Sequence, residues 1–303
     1  MKAILITVVF LFVIQILRAQ PYILILGTAQ DGGYPHMGCT KEGCNLAWKN
    51  DSLKQYVVSL ALVDPVNKKW WLFEATPDIK YQLQEFSTLT RQQYAYLPEG
   101  VFITHAHIGH YTGLMEFGRE VMSTKELPVY VLPRMKTFLE TNGPWSQLVS
   151  LKNIAIHPLK ADSTISLNEN IKVEAFTVPH RDEYSETAGF KITAGTKKYL
   201  FIPDIDKWEK WSRNIIDEVK SVDYALLDAT FYHSGELPGR KISEVPHPLV
   251  TETMDLFKNE DATTKTKIYF IHLNHTSPLL WDAGMQQQLK KSGFNLARQK
   301  QVL

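Results

Sequence analysis

The sequence predicts an α/β protein in which two β-sheets pack together with helices outside them. Short runs that are apolar throughout, or alternate apolar with polar residues, recur along the chain as they do in strands. Helix-like segments lie between these runs, and no linker rich in Pro, Gly and Ser divides them. The 303 residues, of which 44% are hydrophobic, are enough for one large core. We therefore predict a single domain over residues 20–303.

The first nineteen residues differ in kind from the rest. Lys2 supplies a positive start, and residues 3–17 form an apolar run of about fifteen residues, the size of a signal-peptide core. Ala19 would precede the cleavage point. The alternative is an uncleaved membrane anchor, although a spanning helix needs about twenty apolar residues. We predict a signal peptide over residues 1–19, a periplasmic or secreted protein, and membrane contact only if this segment is retained.

The predicted elements follow one another in a regular order. Strands are predicted in the first half at PYILILGTA, YVVSLALVDP, KKWWLFEA and GVFIT. In the second half they are predicted at NIKVEAFTVPH, AGFKITAG, KKYLFIPD, VDYALLDATF and KIYFIHLNH. The segment DKWEKWSRNIIDEVK predicts one amphipathic helix, because its large apolar residues fall on one side.

Three histidines crowd into THAHIGHYTGL, directly after a predicted strand. His105 and His107 are two residues apart, so their side chains start on the same side of an extended backbone. His110 follows a turn that Gly109 can accommodate. Imidazole is a common ligand of zinc, iron and related ions, and neutral imidazoles can converge without charge repulsion. The segment therefore predicts a metal site.

Three further ligand-type residues each end an apolar strand. His180 ends VEAFTVPH, Asp204 ends KKYLFIPD, and His272 lies in KIYFIHLNH. Polar groups at strand ends lie where a sheet edge meets a cleft, so we expect these residues to complete the metal site. We assign Asp204 a catalytic role in bridging or orienting a water molecule. His275 is the predicted proton donor to a leaving group, and the alternative is a packed or solvent-facing histidine without a catalytic role.

These residues stand in the order of a known motif set. The sequence resembles the metallo-β-lactamase superfamily, whose pattern is HxHxDH followed by His, Asp and His. The matching positions are His105, His107, Gly109, His110, His180, Asp204 and His272. The resemblance implies an αββα sandwich of two mixed β-sheets with outer helices. It also implies a hydrolase that uses a metal-activated water on an ester, lactone, amide or phosphoester bond.

A narrower resemblance concerns three other segments. ILGTAQDGGYP, LLDATFYHSGELPGR and FIHLNHTSP are similar to the pyrroloquinoline quinone biosynthesis protein B branch. This branch implies the alternative function of an iron-dependent oxygenase or hydroxylase. A non-catalytic metal- or ligand-binding relative is a third possibility. The resemblance also places Glu74 or Asp78 where an acidic residue organises the loop under the site. Asp228 is a candidate partner of a ligand histidine, and His247 is either a cleft residue or a structural one.

Gly109 departs from the motif, because the family has an aspartate there that helps to hold a second metal ion. The second site would keep His110, His272 and a shared Asp204, and would lack one anionic ligand. We therefore expect one tightly bound Zn²⁺, with Fe²⁺ as the alternative ion. The second ion would be weak, absent or held by another residue. On this view Gly109→Asp should raise the metal content towards two ions per chain.

The remaining features bear on partners and on the two cysteines. The net charge of +1 and the lack of a Lys/Arg cluster argue against nucleic acid as a partner. We expect a small-molecule substrate, and the oligomeric state stays open. Cys39 and Cys44 are close enough in sequence for a local disulfide in an oxidising compartment. They either form a disulfide, remain free thiols, or bind a structural metal ion together with His36. In the last case a tetrahedral zinc ion would have three of its four ligands from these residues.

Overall fold

The computed structural model describes residues 20–241 and 244–303. The predicted signal peptide, residues 1–19, lies outside the described residues, so the predicted domain bounds stay a prediction. Within the described part of the chain, no helix has both the length and the apolar content needed to cross a membrane.

The first sheet is built from the first half of the chain, with its strands side by side in sequence order. They are β1 (Tyr22–Gly27), β2 (Ser59–Asp64), β3 (Lys69–Phe73), β4 (Val101–Phe102), β5 (Leu127–Val131) and β6 (Ile154–Pro158). The β1–β2 and β2–β3 pairs are antiparallel, whereas β3 to β6 run parallel. This sheet is therefore mixed.

The second sheet is built from the second half and is also mixed. Its strands are β7 (Ser163–Ser166), β8 (Ile171–Val178), β9 (Thr187–Ala194), β10 (Lys197–Ile202), β11 (Tyr224–Asp228), β12 (Ile268–Ile271) and β13 (Asn295–Leu296). Strands β7 to β10 are antiparallel, and β10 to β13 are parallel. The carboxyl ends of β10, β11 and β12 thus lie along the same edge.

Helices connect the strands, and several of them cover the outer faces of the sheets. They are α1 (Glu42–Lys49), α2 (Ile79–Leu89), α3 (Ile108–Tyr111), α4 (Pro133–Thr141), α5 (Trp145–Ser150), α6 (Ile215–Lys220), α7 (Val250–Leu256), α8 (Ala262–Lys265) and α9 (Ala283–Lys291). Apolar residues of α2, α4 and α5 share a core with the first sheet. Those of α1, α6, α7 and α9 share another with the second sheet.

Alternation along the strands explains why the sheets stack in the middle. In β3, Trp71 and Phe73 point into the core between the sheets, whereas Trp70 and Leu72 point towards α2. Strand β10 likewise sends Phe201 inward and neighbouring residues outward. Strands buried on both faces read as continuous apolar runs. The αββα sandwich of two mixed sheets is therefore confirmed.

One predicted helix is wrong. The segment 206–220 is not a single helix, because a 3₁₀ turn at Trp208–Lys210 ends at an extended Trp211 and α6 begins only at Ile215. The side chain of Asn214 accepts a hydrogen bond from the amide of Ile216 and so starts the second helix afresh. The apolar residues still face the core, since Trp208, Trp211 and Ile215 are all buried.

Candidate metal centre

Four of the predicted ligands converge at the meeting edges of the two sheets. The converging atoms are Nε2 of His105, Nδ1 of His107, Nε2 of His180 and Oδ2 of Asp204. His105 Nε2 and His180 Nε2 lie 3.4 and 3.2 Å from Asp204 Oδ2. His107 Nδ1 lies 2.8 Å from His105 Nε2 and 3.2 Å from His180 Nε2. Ligands bound tetrahedrally to zinc at about 2.0–2.1 Å are about 3.3 Å apart, so this spacing suits one ion.

The elements that carry these residues explain their convergence. His105 and His107 follow β4 of the first sheet, and His180 and Asp204 each lie two residues beyond a strand of the second sheet. In both His105 and His107, the ring nitrogen that lies outside the first group also has a polar partner. His105 Nδ1 lies 2.9 Å from Thr104 Oγ1, and His107 Nε2 lies 3.1 Å from a carboxylate oxygen of Glu183. Such contacts fix the ring orientation of ligand histidines.

A second group lies beside the first. It comprises Nε2 of His110, Nε2 of His272 and Oδ1 of Asp31, all within 4.8 Å of one another. His110 Nε2 is 3.4 Å from Asp31 Oδ1 and 3.9 Å from Asp204 Oδ2, so Asp204 lies between the groups. The six predicted ligands are thus brought together, and their role as ligands stays a prediction.

Asp31 was missed by the sequence analysis. It lies in the QDGG segment, four residues after β1, and so obeys the same strand-end pattern that singled out His180, Asp204 and His272. A carboxylate in a Gly-rich loop after a buried strand was the signal that could have found it. Glu183 gave no comparable signal, because it lies in an exposed loop after His180.

Buried polar partners support the second group. Glu74 is fully buried, and its Oε1 lies 3.4 Å from His110 Nδ1. Its other oxygen accepts a hydrogen bond from the amide of Thr104, so Glu74 takes the organising position predicted for it or for Asp78. Asp78 instead accepts a hydrogen bond from the amide of Val57. His272 Nδ1 lies 2.9 Å from Thr230 Oγ1.

Two residues of this centre have left-handed backbone conformations. The φ angles of Glu74 and His272 are 71° and 66°. Side chains other than glycine rarely adopt this region, and such residues cluster at functional sites whose surroundings hold them there. His272 belongs to the second group and Glu74 lies beside it, and each directly follows a strand, β12 and β3 respectively. The chain is thus held in costly conformations where the candidate ligands meet.

His247 joins the centre from a segment that the sequence analysis left open. Its Nδ1 lies 3.0 Å from Asp228 Oδ2 and 3.1 Å from Asp204 Oδ1. Asp228 also accepts hydrogen bonds from the backbone of Ile205 and Thr230, so it is fixed in place. Asp228 therefore partners His247 rather than one of the six predicted ligands.

The charge balance of the site fits a bound cation. Burial lowers the pKa of His110, but the carboxylates of Glu74 and Asp31 outweigh burial and raise it to about 10. Burial also opposes the charged form of His247, and Asp228 and Asp204 raise its pKa to about 10. The carboxylates thus attract positive charge into a buried centre, which a divalent ion would supply.

Two other imidazoles are held in the neutral, ligating form. Burial lowers the pKa of His272 to about 4. Burial, together with the charge of His110, holds the pKa of His105 well below its usual value. Nε2 of His110 and His272 and Oδ1 of Asp31 are buried and make no hydrogen bond among the described residues. Buried polar atoms are normally paired, so these three fit ligands that await an ion.

His275 lies in a different setting from the one predicted. Its Nδ1 is 3.5 Å from Cys44 Sγ, and its ring stacks on His36 with centroids 4.3 Å apart. Cys39, Cys44 and His275 form a group of their own that could hold a metal. Both cysteines are free thiols, so a disulfide is not the arrangement found, and His275 takes the place expected for His36 beside them. No contact with the six predicted ligands, among those described, supports His275 as proton donor.

The fold and the two ligand groups define a class of protein. A family model described as the β-lactamase superfamily domain matches residues 69–273, well over half of the chain. The chain therefore belongs to this superfamily and has the metallo-β-lactamase fold. The predicted membership is confirmed.

Within the superfamily the chain resembles one branch. It is 23% identical over 307 residues to the coenzyme PQQ synthesis protein B of Methylorubrum extorquens strain PA1, covering 91% of this chain and 97% of that protein. The crystal structure of Zn²⁺-bound PqqB from Methylobacterium extorquens matches with a TM-score of 0.76 and 21% identity over 93% of this chain and 99% of that one. A diphosphatase from the PhnP family matches with a TM-score of 0.68 and 18% identity over 94% and 97% of the two chains.

Proposed function

We propose that the protein is a metal-dependent hydrolase with zinc as its ion. The observation that carries the proposal is the convergence of three imidazoles and Asp204 at distances that suit one tetrahedral ion. Histidine and carboxylate ligands are typical of catalytic zinc sites. The Zn²⁺-bound PqqB structure supports the choice of ion.

Each residue of the centre has its own role in the proposed hydrolysis. A bound zinc ion supplies a Lewis acid and a water molecule that is nucleophilic near neutral pH. Asp204 Oδ2 faces His105 and His180 of the first group and lies 3.9 Å from His110 of the second, so it is placed to orient that water. His247 Nδ1 is hydrogen-bonded to Asp228 and lies 3.1 Å from Asp204 Oδ1, so Nε2 is the nitrogen that we assign to give a proton to the leaving group.

The proposed substrate is a small molecule with an ester, lactone, amide or phosphoester bond. Because the fold resembles that of a diphosphatase, phosphoesters would be among the first substrates tested. Generic phosphodiesters, carboxylic esters, lactones and β-lactams would be offered to purified protein that has been loaded with zinc. Turnover of one class, lost on chelation and restored by zinc, supports the proposal.

A double substitution tests the metal centre directly. His105→Ala with His107→Ala removes two imidazoles of the first group, so we expect the ion of that group and all measurable turnover to be lost. Metal content is measured by elemental analysis after dialysis against a zinc buffer. His157→Ala, which changes a histidine of β6 remote in sequence from the ligands, is the control and should keep the wild-type metal content.

Unchanged metal content in the double variant refutes the site. The rival iron-dependent oxygenase is favoured by the likeness to PQQ synthesis proteins and by ligands that iron also accepts. Iron in the purified protein, with oxygen consumption and no hydrolysis, would establish the rival. Metal binding without turnover in either assay would leave a binding protein.

We also propose that the protein is exported. This proposal rests on the sequence of residues 1–19 alone. Mass spectrometry of the protein from its native host should give a mature chain that begins at Gln20, and an intact chain in the cytosolic fraction would contradict export.

A further inference from the structure

The place of the family's missing aspartate is filled from another part of the chain. A Cβ built on Gly109 would overlap Oδ1 of Asp31 and lie 2.5 Å from the Cα of Asp31. The end of a flexible side chain can swing aside, but a backbone atom cannot do so without moving its loop. A side chain at position 109 and Asp31 in its present position therefore exclude one another.

Asp31 presents a free carboxylate oxygen to the second ligand group. Its Oδ1 lies 3.4 Å from His110 Nε2, is buried, and makes no hydrogen bond among the described residues. Its Oδ2 accepts a hydrogen bond of 3.0 Å from Gln30 Nε2, so only one oxygen is left for the site. His272 Nε2 is likewise buried without a hydrogen bond in the described structure.

We propose that Asp31 is the carboxylate ligand of a second metal ion, which it binds together with His110, His272 and the shared Asp204. The inference rests on the proposed function in that the centre binds divalent metal. Asp31 restores the anionic ligand that Gly109 cannot supply. The chain therefore binds two ions, and of the alternatives left open for the second ion the structure favours the one in which another residue completes its site.

The loop that carries Asp31 is fixed to the strand end that carries His272. Ala29 forms bridges with Val57 and with Leu273. The amide of Gln30 donates to the carbonyl of Leu273 at 2.9 Å, and the side-chain amide of Asn274 donates to Gln30 Oε1 at 2.8 Å. Because Leu273 and Asn274 directly follow His272, the two ligands are held in register before any ion binds.

Asp31→Asn tests the inference, because it keeps the shape of the side chain and removes its charge. Wild-type protein dialysed against a zinc buffer should contain close to two ions per chain, and Asp31→Asn close to one. Asp51→Asn changes an exposed aspartate twenty residues further on and should keep two. Titration with Co²⁺ gives a readout independent of activity, with two absorbing sites expected in the wild type and one in Asp31→Asn.

The outcomes separate this inference from the proposed function. One ion in both the wild type and Asp31→Asn, lost in the His105→Ala, His107→Ala variant, overturns the role of Asp31 and leaves the hydrolase centre standing. No metal in the wild type overturns both. If Asp31→Asn does not fold, Gln30→Ala serves as the second variant, because it removes the hydrogen bond that orients Asp31. The affinity for the second ion should then fall by roughly 10–100-fold. An unchanged affinity overturns the inference.

The same geometry reverses the effect expected for Gly109→Asp. An aspartate at position 109 would overlap Asp31, so the substitution should displace Asp31 and leave the metal content no higher than that of the wild type. A rise from one ion to two on Gly109→Asp would show that the wild type lacks the carboxylate and would overturn the inference.

Discussion

His247 is held between two carboxylates, and that arrangement decides which of its nitrogens can act. Because Nδ1 lies within 3.1 Å of both Asp204 Oδ1 and Asp228 Oδ2, a proton there is shared with the protein and not with a substrate. The opposite nitrogen is the one available to a leaving group. In the proposed function His247 is therefore the proton donor, whereas His275 contacts Cys44 and His36.

His247→Gln should lower kcat by roughly 10²–10⁴-fold while leaving the metal content unchanged, because glutamine keeps a hydrogen bond but transfers no proton. The loss should be large for substrates with an alkoxide leaving group and small for nitrophenol esters, whose leaving group needs no proton. His233→Gln, at a 3₁₀ turn, is the control. An equal loss with both leaving groups would assign His247 a merely structural role.

The convergence of the predicted ligands can be expected from the sequence where they follow strands, whereas the position of Asp31 depends on a loop that folds back; the role of all these residues as ligands stays a prediction. His180, Asp204 and His272 end apolar runs, so their placement follows from the parallel edge of the second sheet. Asp31 follows β1 of the other sheet, and contacts of Ala29 and Gln30 with residues distant in sequence bring it to His272. Contacts between residues so distant in sequence leave no periodic signal along the chain.

For the secondary-structure elements, too, the sequence predicts some features and misses others. The apolar residues of segment 206–220 repeat as they would on one helix, and the same residues are buried across a 3₁₀ turn, an extended residue and α6. The spacing of the apolar residues therefore predicted which residues are buried, but it did not predict that the helix is interrupted. The break is set by local hydrogen bonds, because Asn214 can satisfy the free amide of Ile216 only by standing outside the helix.

Asn214→Ala should destabilise the protein by about 1 kcal/mol, because α6 has six residues and loses the hydrogen bond at its start. Asn214→Ser keeps an oxygen that can accept the same bond and serves as the matched control. The free energy of unfolding is measured from urea titrations followed by tryptophan fluorescence. Equal stability of the alanine and serine variants would show that this hydrogen bond does not determine where the helix begins.

At the scale of the whole molecule, the candidate metal centre joins the two sheets. His105, His107 and His110 follow β4 of the first sheet, whereas the remaining predicted ligands follow strands of the second. The inter-sheet core holds the same faces together further in, with Phe73 and Phe102 of the first sheet packed against Phe190 of the second. The core thus aligns the strand ends, and an ion bound there would link the two halves of the chain.

Metal removal should therefore lower the stability of the whole protein and not only its activity. An ion that binds the folded state alone stabilises it by about 2.7 kcal/mol per site when its free concentration is 100 times Kd. We expect the unfolding temperature to fall on dialysis against a chelator and to recover with added zinc. Calorimetry of the His105→Ala, His107→Ala variant gives the control, because it lacks the ion of the first group and chelator and zinc should shift its unfolding temperature less. A stripped wild type, verified by elemental analysis, that melts at the same temperature as the loaded protein would contradict the link, since the ions would then add nothing to the contact between the sheets.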